Sequence, residues 1–92
     1  MKSYKNPKPF EVEIENIQGE KFVLTAKSIT PVEMEKIQGI IKDKANGDIE
    51  SLNLQFAYIF NEPVEFFNNF SYPLLGQVIK DFFNELTNPI QG

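Results

Sequence analysis

The sequence predicts an α+β domain, an antiparallel two-stranded hairpin followed by three to four helices, and three observations carry that prediction. Residues 10–17 read as a strand with Phe10, Val12 and Ile14 at every second position, and residues 21–29 as its partner with Phe22, Leu24 and Ala26 likewise spaced, the period of a strand with one wet face. From Thr30 onward the apolar spacing changes to three and four, the period of helices. Pro31, Pro63 and Pro73 stand where successive helices can begin, since a helix start tolerates the missing N–H.

The chain has 92 residues, enough for one domain that folds alone, and a hydrophobic fraction of 41% argues against global disorder. No apolar run approaches the ~18 residues of a membrane span, and no signal-peptide core follows Met1. The expectation is a cytoplasmic protein. With no Cys and no His, thiolate chemistry, disulfides, the usual zinc sites and the commonest general base are excluded. All nine basic residues are Lys, so the bidentate fork of Arg for phosphate or guanine is missing. Three of those lysines, Lys2, Lys5 and Lys8, stand in residues 1–9 without an acid. The remainder sets six lysines against thirteen acids, a net charge of −7. That acidic body disfavours nucleic-acid binding and favours solubility or a basic partner.

Residues 1–9, with two prolines and no apolar periodicity, read as a mobile basic arm before a single domain over 10–88. In the first strand Phe10, Val12 and Ile14 face one way and Glu11, Glu13 and Glu15 the other. In the second, Phe22, Leu24 and Ala26 share a face. Both apolar sets reach one side only if Ile14 pairs with Phe22 or Leu24. The loop must then hold three or five residues, with Gly19 at positive φ. Thr30, Pro31 and Glu33 form the residues of a capping box. The helix they open is expected to run to about Lys44 on a stripe of Met34, Ile37, Ile40 and Ile41. Gly39 inside it costs about 1 kcal/mol relative to Ala, which suggests a close helix or sheet contact. Asn46 or Gly47 is expected in the left-handed region, and Asp48 as the cap of the next helix. That helix carries Ile49, Leu52, Phe56, Ile59 and Phe60 and ends at Asn61-Glu62-Pro63. A short helix over 63–69 follows, and then the most regular stripe of the chain over 73–86. There Leu74, Leu75, Val78, Ile79, Phe82, Phe83 and Leu86 oppose a wholly polar face. This last helix is expected to be the centre of packing, against the helices of Ile37 and Ile41 and of Phe56 and Ile59. Residues 89–92 read as a flexible end.

The groups left for chemistry are carboxylates, Lys, Tyr, Ser and Thr. Asp43, Asp48 and Glu50 lack the ligand spacing of a calcium loop, and Ser71-Tyr72 beside Lys80 shows no sign of an activated hydroxyl. No phosphate loop and no paired carboxylates in an apolar setting occur. The reading is no enzyme, no cofactor and no metal. What stands out is aromatic density: Phe56, Tyr58, Phe60, Phe66, Phe67, Phe70, Tyr72, Phe82 and Phe83. A domain this small does not readily enclose so many rings, so some are expected to form a patch for a protein partner or a second copy. The candidates are Phe60, Phe66, Phe67, Phe70 and Tyr72. Adjacent rings on a short helix differ in direction by about 100°, so of Phe66 and Phe67 one is expected outside, and Phe67 is chosen.

The order of parts resembles the tail assembly chaperones of long-tailed bacteriophages, over roughly Phe10 to Leu86. The parts are the hairpin FEVEIENIQGEKFVLTAKSI, the capped helix TPVEMEKIQGIIK, and the block LQFAYIFNEPVEFFNNFSYPLLGQVIKDFFNEL. The resemblance implies a non-enzymatic helper that binds the long, helical tape-measure protein and keeps it soluble while tail-tube subunits polymerise around it. Frequent self-association is implied with it, as is a longer frameshifted form in many members, while no nucleic-acid and no membrane partner is expected from the charge and the apolar runs above. The family has no catalytic residues to match. The competing reading is a small acidic inhibitor that mimics nucleic acid, carried by the net charge of the body.

Overall fold

Two strands, β1 (Glu11–Glu15) and β2 (Lys21–Thr25), pair antiparallel with Ile14 opposite Phe22 and Val12 opposite Leu24. This computed structural model of the chain describes residues 1–87, so the expectations for residues 88–92 lie outside the described residues. The register places Ile14, Leu24 and Ala26 in the core, with Val12 and Phe22 half-buried beside them. Glu11, Glu13, Glu15, Val23 and Thr25 face solvent. The loop holds five residues, Asn16 to Glu20, with Gly19 at φ 87°. Asn16, which sequence reasoning passed over, organises it: its Oδ1 accepts from the backbone N–H groups of Gln18 (3.0 Å) and Glu20 (2.9 Å), and its Nδ2 donates to Glu20 Oε1 at 2.9 Å. A short polar side chain competing for nearby backbone donors is the usual device of such turns. Beyond the strands the chain is pinned to the helices by two backbone bonds. Ile17 N–H donates to Asn69 C=O at 2.9 Å, and Lys27 N–H to Ile59 C=O at 3.0 Å.

Helix α1 (Pro31–Lys42) begins as its sequence dictates, with Thr30 Oγ1 accepting the Glu33 N–H at 3.3 Å and Pro31 in the first turn. Its end differs from expectation. The helix stops at Lys42, two residues before Lys44, because Asp43 turns its Oδ1 onto the Ala45 N–H at 3.0 Å. Neither Asn46 nor Gly47 adopts the left-handed conformation. Gly47 has φ −71° and is itself the N-cap of α2 (Asp48–Phe60), so Asp48, expected as cap, stands in the first turn instead. The left-handed residue is Asn61 (φ 56°), which closes α2. Gly39 also departs from expectation: a methyl group there meets open space, so no close contact demands glycine.

A 3₁₀ helix (Val64–Asn69) follows, and then α3 (Tyr72–Thr87), whose first turn is capped by Ser71 Oγ accepting from Leu74 N–H at 3.4 Å. The expected centre of packing moves. Helix α2, not the helix of residues 73–86, touches α1, the 3₁₀ helix and α3. The reason is its girth of apolar residues. Leu52, Phe56, Ile59 and Phe60 are buried, with Ala57 and Tyr58 partly covered. Helix α3 contributes one stripe of Leu75, Val78 and Phe82. Helix α1 buries only Ile37; Ile41, expected in the central packing, stays exposed. The buried polar groups on α2 have partners, Asn53 Nδ2 on Asn68 Oδ1 at 3.0 Å and Gln55 Nε2 on Ser51 Oγ at 3.3 Å. Unpartnered amides there would cost about 1–3 kcal/mol each.

Candidate functional site

The aromatic block that sequence reasoning singled out is mostly core. Phe60 is buried against Phe56, whose ring stacks on it at 5.6 Å, and lies near Phe10 and Phe82 at 6.4 Å. Phe67, chosen as the outward ring, is 1% exposed and packs on Phe56 at 5.1 Å. That choice is corrected by a geometric fact. The 3₁₀ helix lies between the hairpin and α2, so Phe66 and Phe67, packed edge-on to each other at 5.1 Å, both find a covered side. Phe67 turns to α2, while Phe66 turns to the hairpin, where it is half-buried edge-on to Phe22 at 5.1 Å. Phe70 is buried beside Phe22 and Phe66, at 5.9 and 5.3 Å. Each such pair adds roughly 0.5–1.5 kcal/mol beyond its buried area. Of the five candidates only Tyr72 stands in solvent, at 56% exposure.

Tyr72 is not isolated. It and Ile49, 64% exposed, form the rim of a shallow depression of about 110 Å³ where the start of α2, the end of the 3₁₀ helix and the start of α3 meet. Phe67, Phe70 and Leu75 line its floor, and the bonded Asn53–Asn68 pair lies across it. Sequence periodicity assigned Ile49 to the buried stripe of its helix. Its place in the first turn, where the chain has only just risen from the Asn46-Gly47 bend, leaves it without a neighbour above. The helix boundary was the signal that periodicity alone could not supply.

A second, larger groove of about 540 Å³ runs between residues 6–9, the connection from β2 to α1, and the end of α3. Phe10, Phe82 and Leu86 line it, with Lys8, Lys27 and Glu85 among its polar groups. Residues 1–9 are exposed and carry no helix or strand, although 6–9 border this groove. Lys27 is engaged rather than free, its Nζ 4.0 Å above the ring of Tyr58. The Tyr58 hydroxyl in turn donates to Glu33 Oε2. That hydrogen bond, with some desolvation and the adjacent negative charge, raises the phenol above its ordinary value of 10.0. The trio ties α1 to α2.

Among the described residues no group of acids is placed to hold a metal ion, and no helix is long and apolar enough to cross a membrane. Asp43 is committed to its turn and Ser71 to its cap. No protein-family model, curated protein or solved structure matches the chain.

Proposed function

We propose that the chain is a non-enzymatic protein-binding protein that shields an apolar helical segment of a partner during assembly, as tail assembly chaperones do for the tape-measure protein. The observation that carries this reading is the Ile49–Tyr72 depression, where two exposed apolar side chains stand beside a floor of Phe67, Phe70 and Leu75. The order of elements supports it: a hairpin, a Thr30-capped helix, a helix ending at Phe60-Asn61-Glu62-Pro63 and two further segments.

Co-expression with the longest helical protein encoded beside this chain tests the reading. The partner should stay soluble and co-purify. Ile49→Ser and Tyr72→Ser should each weaken capture by roughly tenfold or more while the melting temperature stays unchanged. Capture unaffected by both variants would move the binding surface elsewhere. A nucleic-acid mimic is the second reading, favoured by the net charge of the body. Its binding should collapse as salt shortens the Debye length from about 10 to about 3 Å, whereas apolar docking persists.

A further inference from the structure

The depression also has an electrostatic setting. Between Lys44 and Lys80 the sequence contains no basic residue, yet it holds Asp48, Glu50, Glu62 and Glu65. This is the stretch that builds α2, the 3₁₀ helix and the first half of α3, and hence every wall of the depression. Asp48 and Glu50 are exposed on either side of Ile49 in the first turn of α2. Glu65 is exposed three residues before Asn68, and side chains three apart eclipse along a 3₁₀ helix. Among the described residues none of these acids is in an ion pair.

The cavity itself sets the size of what it takes. An apolar cavity of about 150 Å³ holds one benzene ring. A depression of about 110 Å³ therefore takes one aliphatic side chain such as Leu or Met from the partner's helical segment. Resting on the protein-binding reading above, we propose that the partner presents a helix with a single aliphatic anchor flanked within one turn by Lys or Arg. The anchor enters between Ile49 and Tyr72, and the flanking cations meet Asp48, Glu50 and Glu65. The acids select a basic partner and speed its encounter, while the anchor supplies the contact that excludes water. Partners with acidic flanks, a second copy of this acidic surface among them, are repelled.

Three synthetic helical peptides of equal length and helicity test this against the full chain by titration calorimetry: Leu anchor with Lys flanks, Leu anchor with Glu flanks, and Ala in the anchor position with Lys flanks. The Leu–Lys peptide should bind, and each of the others should bind at least roughly tenfold more weakly. Raising salt should narrow the gap between the two Leu peptides without abolishing binding of the first. Glu50→Lys, on the exposed face of α2, should also narrow that gap while leaving the fold intact. Equal binding of the two Leu peptides, with loss of both in Ile49→Ser, would overturn the charge selection and leave the docking site standing. Binding of every peptide unchanged in Ile49→Ser and Tyr72→Ser would overturn the docking site as well. No binding by any of the three at millimolar concentration would reject the proposed partner chemistry, leaving the co-expression result to judge the site.

Discussion

The hairpin and the aromatic turn after α2 are built from the same kinds of residue, yet only one of them declares its inside and outside. In the hairpin the period of two assigns Ile14, Phe22 and Leu24 to the helices and Glu11, Glu13 and Glu15 to water, because only one face has anything to pack on. The turn from Asn61 to Tyr72 packs on the hairpin through Phe66 and on α2 through Phe67, so both adjacent rings are covered. An apolar side chain is exposed only where its direction lacks a neighbour. That lack is a property of the assembled fold, not of the local spacing.

The largest effect that separates the two regions is the loss of a ring from the turn. Phe67→Ala should destabilise by about 3–5 kcal/mol in urea unfolding, the range for a buried aromatic. Glu13→Ala on the outer face of β1, whose 3.9 Å pairing with Lys21 is solvent-exposed, should stay within about 0.5 kcal/mol. Equal effects would erase the distinction.

The two left-handed residues sharpen the comparison at an intermediate scale. Gly19→Ala in the hairpin loop should cost about 1 kcal/mol, since φ 87° penalises a Cβ. Asn61→Gly at the start of the aromatic turn should be neutral or slightly stabilising, and Asn61→Val should cost about 1–2 kcal/mol. Gly39, which serves neither region, should gain about 0.5–1 kcal/mol on replacement by Ala, because the added methyl meets open space inside a helix.

A smaller effect concerns Tyr58, whose phenol holds its proton above 10.0 through the bond to Glu33. Below that value the proton is bound in both the folded and unfolded chain, and the bond contributes fully. As pH rises through the raised folded value the phenolate loses the bond and faces the Glu33 carboxylate, so stability falls. Thermal melts should show this alkaline loss, and Tyr58→Phe should remove it.

What was legible in the sequence follows the same division. The β1–β2 register, the Thr30 cap, Asn61-Glu62-Pro63 as a helix end and the Leu75–Val78–Phe82 stripe are each fixed by contacts within a few residues or by one covered face. The centrality of α2 and the burial of Phe67 depend on where distant elements come to rest, which periodicity does not encode. Asp43 and Asn16 show a third case, local and therefore readable. Their side-chain bonds to the backbone two residues on set a helix end and a loop.

Hydroxyl-radical footprinting read by mass spectrometry tests the central claim most directly, since it reports both regions in one sample. Tyr72 and Ile49 should be oxidised readily in the free protein, while Phe56 and Phe67 remain unmodified. Addition of a bound partner should protect Tyr72 and Ile49 together. Oxidation of Phe67 at the rate of Tyr72, or protection on binding that spares the Ile49–Tyr72 rim, would contradict the account.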